Sequence, residues 1–225
     1  MNELLEAYEL GPWLGGNWDW GLRAGTERGG AQRDVLIATT APHQDSIEAL
    51  GERFSPGASV LAIGTHEVEH HRVDVLVELR PTGHASTDVT LGRNAALQLL
   101  GAAARQLESL HASGFVIASL RPELIYVDDR GRLTGIAPFS EMFYRRIASQ
   151  SVGSRYPFEE LYMAPELVRM TEIGPAADVF SLAACYVRWS LGRYPIAGET
   201  FMDRVIALAE PRLADGVDLE GLPDH

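Results

Sequence analysis

The strongest pattern in the chain is a long stretch of helical periodicity over residues 94–111. Apolar residues recur there every three or four positions, so one side of the helix should pack against the rest of the fold. The predicted stripe consists of Leu97, Leu100, Ala104, Leu107 and His111. Nothing comparable occurs earlier in the sequence, so any fold has to join a sheet-rich first part to a helix-rich second part.

Short β-like runs dominate the first part, at residues 35–39, 59–63 and 73–79. The third run alternates strictly, with valine or leucine at every second position, which is typical of a strand with one buried face. Between the first two runs, residues 45–54 predict one short helix that Gly51 keeps brief. These runs predict a twisted antiparallel sheet.

Beyond residue 81 the sequence patterns are mainly helical, apart from one short stretch with a strand pattern. Residues 124–127 and 132–136 predict two short strands joined by a turn at Asp128-Asp-Arg-Gly131. Further helices are predicted over 177–191 and 198–210. We therefore expect an α+β chain of two lobes, residues 1–80 and 81–225.

Composition and charge exclude several classes of protein. The 225 residues carry 19 basic and 31 acidic side chains, a net charge of −12, which does not suit binding to a nucleic-acid backbone. The single cysteine, Cys185, cannot form an internal disulfide and lies in an apolar helical pattern typical of a core thiol. The start of the chain lacks the features of a secretory signal, and no run is apolar for the ~20 residues of a membrane span. We expect a cytoplasmic protein.

The stretch His66-Glu-Val-Glu-His70 matches the H-E-x-x-H pattern of zinc hydrolases. That chemistry needs a helix, which brings both histidines to one metal ion. Here the stretch falls between two predicted strands, and on a strand the two positions lie ~13 Å apart. We interpret it as a solvated hairpin tip; a zinc hydrolase acting through His66 and His70 is the weakest alternative.

A glycine-bearing segment, Leu14 to Ala24, precedes the first strands and could approach phosphates through its backbone amides. It lacks a proper G-x-G-x-x-G. Trp18, Asp19 and Trp20 would place bulk and negative charge where a phosphate would lie. A β-turn with aromatic cover is the favoured interpretation.

Five motifs in fixed order carry more information than any of them alone. They are Leu110-His-Ala-Ser-Gly114, Leu120-Arg-Pro-Glu-Leu-Ile125, Pro138-Phe-Ser140, Tyr162-Met-Ala-Pro-Glu166 and Ala177-Asp-Val-Phe-Ser-Leu182. Together they resemble a protein kinase of the bacterial, eukaryotic-like Ser/Thr type. The resemblance covers about residues 10–210 and implies a two-lobed fold with its hinge at residues 78–83.

The resemblance also implies where catalytic groups should stand, and this chain lacks them. Phosphoryl transfer in the family uses a lysine on the third strand, an acidic base in the catalytic loop, and an asparagine and an aspartate that hold magnesium. The position of the magnesium-binding aspartate is occupied by Ala137, or by Pro138 if one residue is inserted. The degenerate positions are Ala38, Ile117, Ala118, Ser119, Leu124, Ala137 and Pro138. Arg121, in place of the loop lysine, is a weak nucleotide-binding candidate.

Other matching positions are architectural. Asp178 matches the family aspartate that accepts hydrogen bonds from the catalytic-loop backbone, and Pro165 and Glu166 match the end of the activation segment. Glu166 should pair with an arginine from later helices. The sequence stops before such helices, so we expect either an incomplete C-lobe or a pairing with Arg188 or Arg193.

We therefore expect a pseudokinase without cofactor, which binds neither ATP nor magnesium. Its partner would be a protein: a kinase, a phosphopeptide-reading module or a fused domain. A docking or phosphorylation segment is a further candidate, beside its interpretation as a solvated loop; it comprises Arg145, Arg146, Ser149, Ser151 and Ser154. The alternative function is residual nucleotide binding or an altered phosphotransferase that uses Arg121, Asp128 or Asp129.

Overall fold

A computed structural model describes most of the chain, and it is α+β. The described residues are 4–16, 21–29, 31–40, 59–68, 71–118, 120–140, 143, 161–169 and 171–209. Two compact units are formed, the first by Met1–Thr82 with Ala137–Tyr156 and the second by Gly83–Ile136 with Pro157–His225. The sequence suggested a division near residue 80 but gave no sign that a later segment belongs to the first unit.

The first unit contains a five-stranded sheet in the order β1-β2-β3-β5-β4, antiparallel throughout. Its strands are β1 (Tyr8–Gly16), β2 (Gly21–Glu27), β3 (Asp34–Thr40), β4 (Val60–Val68) and β5 (His71–Leu79), preceded by a 3-10 turn at Leu5–Ala7. The predicted antiparallel sheet is confirmed. The helix predicted at 45–54 lies outside the described residues.

Both faces of this sheet are buried at β3 and β5. One face carries a valine-rich core cluster. The cluster consists of Tyr8, Val35, Ile37, Val73, Val75 and Val77. The opposite face carries Leu36, Ala38, Leu76 and Glu78, all at most 1% exposed. A carboxyl group therefore lies inside the apolar layer.

The second unit contains a long helix, a small sheet and three later helices. Helix α1 spans Arg93–Ala112, α2 Pro165–Arg169, α3 Pro175–Leu191 and α4 Phe201–Ala209, with 3-10 turns at Ser86–Asp88 and Pro122–Leu124. Strands β6 (His84–Ala85), β7 (Ile125–Val127) and β8 (Leu133–Ile136) form an antiparallel sheet in chain order. The predicted long helices and the predicted hairpin are confirmed. None of these described helices is long and apolar enough to cross a membrane.

Helix α3 begins and ends at residues whose backbone preferences fit those positions. Pro175 stands in its first turn, where a missing N–H costs nothing. Gly192 follows it with a φ of 65°, and its N–H donates to the Arg188 carbonyl. The helix fully buries Trp189 and Cys185, and burial raises the pKa of the Cys185 thiol. The predicted core thiol is confirmed.

The packing of α1 corrects the sequence prediction. Its buried residues are Ala96, Leu99, Ala103 and Leu107. The predicted stripe shares only Leu107 with this set. Leu97 and Leu100 are half-buried and Ala104 is exposed. The prediction failed because α1 has two neighbouring apolar stripes, and periodicity alone cannot decide which one faces the core.

Candidate functional site

The loop after α1, in the second unit, is held by one buried carboxylate. Asp178, in the first turn of α3, is 0% exposed. Its Oδ2 accepts a hydrogen bond of 2.9 Å from the Ile117 N–H, and its Oδ1 accepts one of 2.7 Å from the Ala118 N–H. The His111 Nε2 lies 2.8 Å from Oδ2. These are the loop-backbone bonds that the sequence suggested for Asp178.

The side chains of this loop are packed rather than presented for chemistry. Ile117 and Leu124 are each 2% exposed. Ala118 has a φ of 63°, a left-handed conformation that is uncommon for a residue with a Cβ. Ser119 lies outside the described residues. None of the three described replacements offers an acid, a base or a metal ligand.

Arg121 is also part of the packed structure. Arg121 is 5% exposed, and its Nε lies 3.6 Å from the Glu123 carboxylate. The next carbonyl, that of Pro122, accepts a hydrogen bond from the Ser86 hydroxyl, whose oxygen in turn accepts one from the Trp189 indole N–H. Arg121 is thus a buried, ion-paired residue, which argues against its use as a cation for an incoming phosphate.

The turn between β7 and β8 engages the Asp128 carboxylate. Asp128 Oδ1 accepts hydrogen bonds from the backbone N–H groups of Arg130 and Arg132, and Oδ2 accepts one from the Arg132 side chain. These bonds, above all the Arg132 backbone bond, lower the pKa of Asp128 to about 2. Such a strong acid in its own turn is a poor general base near neutral pH. Asp129, beside it, is exposed.

In the first unit, the third strand presents no cation at the expected lysine position. Ala38 is 0% exposed and pairs with Leu22 on β2 and Leu76 on β5. Residues that pair across antiparallel strands share a face of the sheet. Leu36 pairs with Glu78, two positions from the Ala38 pair, so Ala38 and Glu78 share one face. That face carries a carboxyl group and an alanine.

Glu78 binds the segment that follows β8. Its Oε1 accepts a hydrogen bond of 3.3 Å from the Phe139 N–H. Its Oε2 accepts bonds of 2.8 Å from the Ser140 N–H and 2.9 Å from the Ser140 hydroxyl. Burial raises the pKa of Glu78 to about 7, although the bonds from Ser140 and Phe139 favour the charged form. Ala137 and Pro138 are the two positions at which the metal-binding aspartate of a kinase could fall. Both are buried, and neither side chain has an atom that could bind a metal.

The H-E-x-x-H stretch is strand, not helix, over its described part. His66, Glu67 and Val68 belong to β4 and pair with Val73, Arg72 and His71 of β5. These three residues are therefore strand residues rather than part of a solvated hairpin tip, as was predicted. His70 lies outside the described residues. Within the described part of the chain, no group of three or more His, Cys, Asp or Glu side chains could hold a metal ion.

Three further predicted sites differ in how much of each the structure describes. Pro165 and Glu166 begin α2; among the described residues the Glu166 carboxylate makes no ion pair, and Arg188 lies over the Tyr194 ring at 5.6 Å instead. Trp18, Asp19 and Trp20 of the glycine-bearing segment are outside the described residues. So are Arg145, Arg146, Ser149, Ser151 and Ser154 of the connecting segment.

Sequence reasoning missed the role of Glu78. The alternating pattern of β5 assigned its valines to the core and left Asp74, Leu76 and Glu78 on the other face. The signal that could have found it is Leu76, an apolar residue between two acids, which indicates that this face is covered too. Its partner, Ser140, lies 62 residues further along the chain, and no sequence pattern around Ser140 indicates the contact.

Comparison with known proteins adds no assignment. No protein-family model matches the chain. A search of curated proteins also found no match. The kinase resemblance therefore depends on the five motifs and on how their residues are used.

Proposed function

We propose that this chain is a two-lobed, protein kinase-like domain without catalytic activity, which acts in bacterial signalling by binding another protein as a scaffold or allosteric regulator. One observation carries the proposal. Asp178 holds the backbone of the loop by the amides of Ile117 and Ala118, while the loop side chains are apolar. The framework of a catalytic loop is retained and its reactive groups are replaced.

The size of the catalytic deficit supports the absence of activity. Phosphoryl transfer depends on positioning and on neutralising charge with a lysine, two metal ions and an acidic base. Loss of one such electrostatic group typically costs a factor of ~10²–10³ in rate, and groups that act together fail together. Ala38, Leu124 and Ala137, or Pro138, stand where three of them would be, and all four residues are buried.

The charges of the first unit also argue against nucleotide binding. A triphosphate needs cations, and the face of β3 that would supply the lysine carries Ala38 beside the buried Glu78. Arg121, the candidate cation of the second unit, is paired with Glu123. Neither arrangement compensates the charge of ATP.

A thermal-shift titration of the full chain with ATP, with and without magnesium or manganese, tests the proposal. We expect no rise in melting temperature at millimolar nucleotide. A ligand at 100 times its Kd would stabilise the protein by about 2.7 kcal/mol, which corresponds to several degrees for a chain of this size. Inorganic triphosphate with the same cations is the matched control for ionic effects.

A rise of several degrees with ATP but not with inorganic triphosphate would overturn the nucleotide-free part of the proposal and favour residual nucleotide binding. Transfer of radiolabelled phosphate from ATP to the chain or to a generic protein substrate, measured in parallel, would overturn the non-catalytic part.

A further inference from the structure

An open apolar groove runs between α1 and α3 in the second unit. Its volume is about 560 Å³. Its walls come from both helices and include Leu97, Leu100, Ala104 and Glu108 of α1 and Val179 and Ala183 of α3. Apart from Glu108, the residues of α1 in this groove are those of the stripe that the sequence predicted to be buried. The stripe is apolar, as a contact surface would be, but it faces an open groove.

Several of the apolar side chains that line the groove are exposed. Val179 is 61% exposed, although the helix that carries it is otherwise mostly buried. Ala104 and Ala183, which face the groove from opposite sides, are also exposed. A helix that is apolar on two stripes is expected to be covered on both. An apolar groove between two helices is the kind of surface that receives the apolar face of an amphipathic helix in helix-in-groove recognition.

The shape of the groove suits a third helix. Helices α1 and α3 are antiparallel, since His111 meets Asp178 at one end and the Leu91 N–H donates to the Trp189 carbonyl at the other. From Leu97 to His111 the rise of a helix gives a groove of about 20 Å, or four turns. The small side chains of Ala104 and Ala183 allow another helix to approach to the 8–10 Å typical of packed helices.

The charge of the groove favours a basic helix as its occupant. Glu108 is the acidic residue in the lining, and the His111 ring is engaged with Asp178. The chain as a whole carries a net charge of −12. A second copy would bring the same negative charge, whereas a basic partner would be attracted at long range and at the contact.

We propose that this groove is the docking site for an amphipathic helix of a partner protein, with its apolar face against α1 and α3 and a lysine or arginine against Glu108. The inference rests on the proposed function, because a scaffold needs a partner, and it names the surface and the chemistry of that partner.

The test uses the full chain and a labelled synthetic peptide of about 16 residues, with leucines at helical i, i+3, i+4, i+7 spacing and lysines at their flanks. Binding is followed by fluorescence anisotropy. Ala104→Glu adds bulk and charge at an exposed position in the middle of the groove, and should weaken binding at least tenfold. Gln106→Glu adds the same charge on an exposed position of α1 outside the lining and should change binding less than twofold.

Charge reversal provides a second, independent arm. Glu108→Lys should weaken the lysine peptide and strengthen a peptide whose lysines are replaced by glutamates. Glu172→Lys makes the same change at an exposed site outside the groove and should not reverse the preference. A peptide of identical composition but scrambled order, without an apolar face, should not bind.

Three results would overturn the docking proposal. The peptide could bind the Ala104→Glu variant as well as the wild-type chain. Sedimentation could reveal a dimer that Ala104→Glu dissociates, which would make a second copy the occupant. Laurate could fill the groove while no peptide binds, which would make it a small-molecule site. A nucleotide-induced thermal shift would instead overturn the nucleotide-free part of the proposed function and leave the peptide result unchanged, so the two failures are distinguishable.

Discussion

Each unit of the chain buries one carboxylate that holds the backbone of another segment, but the two carboxylates differ in their partners. Asp178, in the second unit, accepts two backbone amides of the loop and has the His111 ring beside it. Glu78, in the first unit, accepts two backbone amides and one hydroxyl, those of Phe139 and Ser140. Both hold segments that in a kinase would carry catalytic side chains.

The two anchors differ in how far they depend on the side chains of the segments that they hold. Asp178 is the residue that the kinase resemblance assigns to this structural role, and its bonds do not depend on the loop side chains, so replacing those side chains leaves the loop conformation supported. Glu78 uses the Ser140 hydroxyl as well as the backbone, and burial raises its pKa to about 7. The first anchor uses only backbone groups of the loop, whereas the second also uses a side chain and is sensitive to pH.

Loss of the Asp178 carboxylate should have the largest effect. Asp178→Ala would leave the buried Ile117 amide and the partly buried Ala118 amide without their acceptor, and breaking a buried hydrogen-bond network of this kind costs about 3–5 kcal/mol. For a chain of this size that corresponds to a fall in Tm of roughly 10 °C. Urea unfolding and calorimetry measure both quantities.

The His111→Ala variant is the matched control for that experiment. It removes one of the three groups around Asp178 and leaves both loop amides bonded, so it should cost about 1 kcal/mol. Equal losses in the two variants would mean that the amide bonds contribute nothing beyond the imidazole contact, and the view of Asp178 as the anchor of the loop would be wrong.

Titration of Glu78 should have the next largest effect, with a defined sign. The pKa of Glu78 is about 7 in the folded chain against an ordinary value of 4.5, so the folded state binds the proton more tightly than the unfolded state does. Its contribution to stability is complete below pH 4.5 and is lost as the pH rises through 7. With 1.36 kcal/mol per pKa unit, the loss is roughly 3 kcal/mol.

Glu78→Gln isolates this contribution, because glutamine keeps an acceptor oxygen but does not titrate. Urea unfolding of both proteins between about pH 5 and 8 should give a difference that shifts in favour of the variant as pH rises. Ser140→Ala removes a hydrogen bond that favours the charged form of Glu78, so the fall in stability should extend to higher pH. Parallel stability curves for wild type and Glu78→Gln would rule out the titration of Glu78 as the cause.

The long elements of the fold could be predicted from sequence, because their signals are local. The alternation of β5, the periodicity of α1, and Pro175 and Gly192 at the ends of α3 all lie within the elements they define. The buried stripe of α1 could not be chosen, since both stripes recur at helical spacing and only the packing of the second unit decides between them. The assignment of Ala137–Tyr156 to the first unit depends on contacts distant in sequence.

The candidate site was predictable where a motif marks it and not elsewhere. The loop and Asp178 stand at fixed places in the five motifs, so their pairing could be expected. The hydrogen bonds from Ser140 to Glu78 join residues far apart in the chain without any motif that links them. The same holds for the left-handed backbone of Ala118, since alanine gives no sign of a positive φ.

Ala118→Gly should give the smallest effect and the opposite sign. A left-handed φ of 63° costs a residue with a Cβ about 1–2 kcal/mol, which glycine avoids, while the extra freedom of glycine in the unfolded chain costs about 0.4–1 kcal/mol. The variant should therefore be more stable by up to about 1 kcal/mol in urea unfolding. Ala102→Gly, inside α1, is the control and should lose about 1 kcal/mol, because there glycine relieves no strain. If both variants are destabilised alike, the loop holds no strain at Ala118. If they differ in sign, the Asp178 hydrogen bonds hold Ala118 in a conformation that its side chain disfavours, and the loop conformation is set by these bonds rather than by the preference of alanine.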